Sequence, residues 1–139
     1  MREALIGRLI DRINAFGDLI PQISAQEMDV ILDVPKDKSI SQHLWCVVGA
    51  RESYARAISV GEWQGFSCSL QSLGIADFEQ ALQSSGDALV AAIHAVENWN
   101  ERRDQLLLAV AEHEVMHEGQ LIRHVYGMGK ELPDSWVWA

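Results

Sequence analysis

The sequence predicts an all-α protein, a single bundle of four helices. Four separate segments place apolar residues at helical intervals of three and four, and none shows the convincing alternation of a strand. Ser, Asp, Asn, Pro and Gly fall between those segments, where helices start and stop. Amphipathic helices without strands must bury their stripes against one another. At 139 residues the chain is one domain's worth, 1–139, enough to bury a core without staples.

The first helix is expected from Arg2 to Ile20, its stripe Ile6, Leu9, Ile13, Phe16 and Ile20, with Pro21 ending or kinking it. Ser24 and Glu27 make a capping box, so Ala25 to Leu32 reads as a short helix within the connection. Pro35 and Lys36-Asp37-Lys38 read as a turn. Ser39 with Gln42 is a second capping box, and it opens a helix to about Val60. Ile40, Leu44, Val47, Tyr54 and Ile58 lie on or near its stripe.

Gly61 to Gly74 is a long connection carrying Trp63, Phe66, Cys68 and Leu70. It is too apolar for an idle solvent loop and is expected to pack as a lid over one end of the core. Asp77 is expected to cap the third helix, with Phe78, Leu82, Ser85, Leu89, Ala92 or Ile93, and Val96 inward. After Asn98 to Asn100 the fourth helix runs to about Tyr126, stopped by Gly127 and Gly129, with Pro133 beyond.

Charge narrows the function. The formal net charge is −9, from 20 acidic and 11 basic residues. Nucleic-acid binding draws most of its affinity from Lys and Arg on phosphates, so nucleic acid is set aside, and an anionic membrane surface with it. The longest uncharged run, Trp63 to Ala76, contains Gly, Ser and Gln and is too short to span a bilayer. The N-terminus enters an amphipathic pattern rather than a signal region. Cys46 and Cys68 make no disulfide framework, so a reduced, cytoplasmic setting is expected.

The informative residues are histidines on apolar stripes. The fourth helix reads Leu106, Val110, His113, His117, Gln120 or Leu121, His124. His113 and His117 are four apart, about 40° around a helix and about 6 Å along it, so both can reach one ion. His43 sits on the second helix between Ile40 and Val47, again on the apolar side. Bundle cores are where facing helices converge to build metal sites, and three neutral imidazoles leave coordination positions open for chemistry. The bland alternative for each is a core histidine satisfied by a hydrogen bond.

His124 lies about 10 Å beyond His117 along the axis and is read as a core or bundle-end residue, and His94 as no ligand. Cys46 is read as small buried filler ahead of a soft ligand. Trp45, Tyr54, Trp63 and Phe66 are pocket walls or, more simply, core packing. His113-Glu114-Val115-Met116-His117 matches the zinc-protease H-E-x-x-H, but the continuation carries Gln120 and Arg123 where a metzincin needs Gly and His. Glu114 and Glu118 are read first as solvated helix charges.

Taken together, Ser39-Ile40 leading into His43, the run His113-Glu114-Val115-Met116-His117-Glu118-Gly119-Gln120, and Gly129 with Leu132-Pro133-Asp134 resemble the DinB/YfiT-like superfamily of metalloenzymes. The resemblance covers nearly the whole chain. It implies an up-down-down-up four-helix bundle and one divalent metal ion, Zn²⁺ or Ni²⁺ foremost, on His43, His113 and His117. It also implies homodimers. Characterised relatives include thiol S-transferases and isomerases using glutathione, mycothiol or bacillithiol. The expectation is therefore a metal-dependent transferase of a low-molecular-weight thiol to an electrophile, with no catalytic or substrate-binding residue assigned. The alternative is a non-enzymatic dimeric bundle that binds metal or an apolar ligand.

Overall fold

The computed structural model describes residues 1–139. Four helices account for the architecture: α1 Arg2–Leu19, α2 Ile40–Val60, α3 Ile75–His94 and α4 Glu101–Gly127, with no strand. None of them is long and apolar enough to cross a membrane.

Local chemistry sets the boundaries. Pro21 has no N–H to continue the ladder, and α1 passes at Ile20 into a single 3₁₀ turn. The Ser24–Glu27 capping interactions form, but they open only one 3₁₀ turn, Glu27–Asp29, not the expected helix to Leu32. Ser39 and Gln42 complete both halves of their capping box at the start of α2. Gly61 ends α2 at φ 95°, a left-handed cap that suits glycine. α3 begins two residues before Asp77. That carboxylate accepts the Gly74 N–H from the first turn rather than standing at the cap. Asn100 caps α4 by accepting the Arg103 N–H.

Packing gives the topology. One apolar cluster joins the C-terminal parts of α1 (Phe16, Leu19) and α4 (Leu121, Val125) to the N-terminal parts of α2 (Ile40, Leu44, Val47) and α3 (Phe78, Leu82). The second joins the opposite ends, including Ile6, Leu9, Ile58, Leu89, Ile93, Leu107 and Val110. Hence α1 and α4 run one way, α2 and α3 the other: up-down-down-up. The chain beyond α4 folds back, its Trp136 buried against Phe16 and donating its indole N–H to the Ala15 carbonyl.

Two parallel neighbours need a return connection, and Gly61–Gly74 supplies it. This strap runs back along the flank of α2 instead of lidding an end of the core. Trp63 stacks on Tyr54 and Phe66 on Trp45, while the Ser67 N–H donates to Ser53 and the Ser69 N–H to Glu52. Gly49 makes room: a Cβ there would collide with the Phe66 ring and come within 2.9 Å of Cys68. The aromatics thus pack onto α2 from outside; Trp45, Trp63 and Phe66 stay partly exposed.

Candidate metal centre

A layer of buried polar side chains lies between the two apolar clusters. The inward face of α4 there is Val110, Ala111, Glu114, His117, Glu118, Leu121 and His124. It shares Val110, His117, Leu121 and His124 with the stripe read from the sequence, but takes in Ala111, Glu114 and Glu118 where that stripe carries His113. Glu114 and Glu118 are consequently buried, not solvated. Arg51 of α2 meets Glu114 with two parallel N–H···O bonds of 2.8 Å, both side chains fully enclosed, and lies over the Phe16 ring. A further Arg51 N–H reaches the Leu82 carbonyl at 3.2 Å. Arg12 pairs with Glu118 and stacks on Trp138. Tied to Arg51, the glutamate of H-E-x-x-H is no general base.

Beside His117 stand two further histidines, His43 and His113. His43 Nδ1 is 3.0 Å from His117 Nδ1, and the rings of His113 and His117 have centroids 4.5 Å apart. Cys46 Sγ lies 3.5 Å from His113 Nε2. Ligand atoms of Cys46, His113 and His117 all fall within 4.8 Å of one another, a group that takes in Cys46 and leaves out the expected His43, which meets it through His117. The half-buried thiol is therefore part of this cluster and not plain filler. Its spacing on α2, three residues beyond His43, is the signal that brings it there.

The donor chemistry suits a metal. Imidazole nitrogens about 2.0–2.1 Å from one ion stand roughly 2.9–3.4 Å apart, close to the His43–His117 separation, and a thiolate, at about 2.3 Å, stands a little farther from its neighbours, as Cys46 does from His113. His113 Nδ1 and His117 Nε2 are buried with no hydrogen-bond partner. Burial holds the imidazoles neutral, the ligating form. It pushes the pKa of His117 down to about 3, aided by His113, His43 and Lys38. His43 and His113 are also lowered, burial being the main cause. Burial pushes the Cys46 thiol up against the opposing charge of Lys38. Burial likewise raises Glu118 to about 7, outweighing Arg12 beside it, with Glu114 adding to the rise.

His124 and His94 lie elsewhere. His124 is buried with Nδ1 3.3 Å from Asp37 Oδ2, within ion-pair range but poorly directed, since neither ring nitrogen has a hydrogen bond. His94 is exposed at the end of α3.

No protein-family model matches the chain, and no curated protein does. Among solved structures, the crystal structure of a DinB-like protein, YjoA, from Bacillus subtilis matches with a TM-score of 0.70 and 17% identity. The match covers 95% of this chain and 97% of that one. At that identity the likeness is one of fold, and the chain has the fold of a DinB-like protein.

Proposed function

We propose that the protein is a metal-dependent transferase of a low-molecular-weight thiol, with His43, His113 and His117 holding one divalent ion, Zn²⁺ or Ni²⁺. The observation that supports this reading is the gathering of Cys46, His113 and His117 in the middle of the bundle, with His43 of α2 against His117 and ring nitrogens of His113 and His117 left without partners. When bound, such an ion favours the thiolate form of a coordinating thiol, the nucleophile that an electrophile requires. The chain's own part is to keep the imidazoles deprotonated and to fix their helices. The Arg51–Glu114 pair, one residue from His113, pins α4 to α2 at that level.

Cys46 favours a second reading. A thiolate added to three imidazoles fills a tetrahedral sphere, and closed sites are structural or storage sites. The protein would then bind metal without catalysis. Under either reading a second copy of the chain is the expected partner. Exposed Leu108, Val115 and Met116, with Leu5, line an apolar groove of about 460 Å³ between α1 and α4 that would suit it.

Metal analysis of protein purified without a His-tag tests the shared premise. His113→Ala and His117→Ala should each abolish tight binding, as should His43→Ala, while His124→Ala and His94→Ala leave it intact. Metal lost on His124→Ala but kept on His43→Ala would overturn the assignment. Conjugation of a generic electrophile with glutathione, bacillithiol and mycothiol then separates the two readings. A metal-dependent rate supports the transferase; bound metal with no rate, and affinity lost on Cys46→Ala, supports the closed site.

A further inference from the structure

Most cations of this acidic chain are occupied. Arg2, Arg12, Arg51 and Lys130 are paired with carboxylates. Arg56 donates to Ser53 and Ser67, and Arg103 to the carbonyls of Ile58, Ser59 and Asn98. Of the others, Lys36, Lys38 and Arg123 line a single groove of about 600 Å³ between residues 32–38 and the outer face of α4. Its inner wall is His43, whose Nδ1 touches His117.

The one carboxylate lining this groove, Asp37, is engaged within the fold. It accepts the Leu32 N–H at 2.7 Å and faces buried His124. Three positive charges against one negative leave the groove with an excess of two. On a chain of net charge −9, three cations lining one groove set it apart from the surrounding surface. Lys36 is moreover the non-glycine residue with positive φ, 61°, a conformation that non-glycine side chains seldom adopt and that tends to mark functional loops.

We propose that the groove is the subsite for the charged end of the substrate, a small organic dianion held by Lys36, Lys38 and Arg123 with its other end at His43. The volume suits a small molecule rather than a peptide or a polymer. The two negative charges are carboxylates or a phosphate, chemistry these cations bind in either form. The assignment rests on the transferase reading for what happens at the histidines, while the anion contacts stand without it.

The test is titration of glutarate, dimethyl glutarate and inorganic phosphate into the protein, followed by amide and imidazole NMR shifts. Each is run on metal-stripped protein and again with Zn²⁺ added. Glutarate or phosphate should saturate and shift resonances of residues 36–38 and 120–124, whereas the neutral ester should not bind. Tighter glutarate identifies a dicarboxylate and tighter phosphate a phosphorylated molecule; both sustain the proposal. Lys38→Gln with Arg123→Gln should weaken binding about tenfold or more, the loss expected for two charge-assisted contacts. Arg8→Gln with Arg102→Gln, the same change of net charge elsewhere, should leave it nearly unchanged. Equal weakening in both double variants, binding of the ester as tight as that of the acid, or no saturable binding of either anion would overturn the proposal. Glutarate bound to a protein that takes up no Zn²⁺ would sink the metal reading alone.

Discussion

The Arg51–Glu114 pair and the His43–Cys46–His113–His117 cluster lie side by side in the buried polar layer, built from the same two helices. In the pair, the guanidinium and both carboxylate oxygens are matched by hydrogen bonds, with Leu82 taking a further N–H. The cluster has one imidazole contact and one long thiol contact, and leaves His113 Nδ1 and His117 Nε2 without partners. A completed buried network fixes how two helices meet. An incomplete one costs desolvation with nothing returned by the fold, as binding sites commonly do. Adjacent, the pair fully enclosed and the cluster partly open at Cys46 and His113, the two thus divide into support and site, and substitutions should tell them apart in opposite directions.

The largest effect is expected at the pair. Glu114→Ala strands a buried guanidinium and should destabilise metal-free protein by about 3–5 kcal/mol, the usual result of breaking an enclosed ion pair. Replacing both partners, Arg51→Met with Glu114→Leu, should cost much less, since no charge is left unmatched. Urea unfolding in the presence of chelator measures both. A double variant as unstable as the single one would mean that packing, not charge, governs this layer.

Much of this was legible in the sequence and some was not, for identifiable reasons. Capping boxes and breakers act locally, so the Ser39–Gln42 box, Pro21 and the glycines placed helix ends to within a residue or two. The apolar stripes of α1 and α3 showed which faces turn inward, because nothing polar interrupts them at length. On α4 the stripe is interrupted by polar residues: Val110, His117, Leu121 and His124 do face inward, but the centre of the buried face lies toward Leu107, Ala111 and Glu118. That partial offset hid Glu114 and Glu118. A cue was available: Arg51 stands four residues after Val47 on the inward side of α2, and a buried guanidinium requires a carboxylate opposite. The strap was expected as a lid from its apolar content, although the up-down-down-up order implied by the resemblance makes α2 and α3 parallel and requires a return along the bundle. The unpaired cations of residues 36–38 and Arg123 are far apart in sequence and meet only once α4 packs beside that turn.

A smaller effect of opposite sense is expected at the cluster. His117→Leu removes a buried orphan and should leave metal-free protein at neutral pH as stable as before, or more so. Its pH dependence sharpens the contrast. His117 in the folded state has its pKa lowered from 6.5 to about 3, so below 6.5 the unfolded chain binds a proton that the folded chain refuses. Stability is therefore lost as pH falls through 6.5, and the loss continues towards 3. Between about pH 7 and pH 5 this one group accounts for roughly 2 kcal/mol, a contribution His117→Leu should abolish. His43 and His113, lowered in the same direction, should keep some acid sensitivity in the variant. Parallel urea titrations at the two pH values decide it; identical pH slopes in both proteins would show that His117 is not held neutral by the fold.

Glu118 gives the smallest effect and the reverse sign, because it belongs partly to each region. It is paired with Arg12, yet its Oε1 is buried without a partner, and burial raises its pKa from 4.5 to about 7. Between those values the folded protein keeps a proton that the unfolded chain has released. Stability from this group is thus full below 4.5 and is lost as pH rises, the loss ending once pH passes about 7 and the folded carboxyl ionises too. From about pH 6 to pH 8 the expected decline is on the order of 1 kcal/mol in metal-free protein. Glu118→Gln cannot ionise and should match the wild type near pH 6 while exceeding it by that amount near pH 8. A divalent ion on the neighbouring histidines would favour the carboxylate, so added Zn²⁺ should shrink the difference between the two proteins. Unfolding curves at both pH values, with and without Zn²⁺, measure this. A variant that tracks the wild type throughout would place Glu118 wholly with the structural pairs.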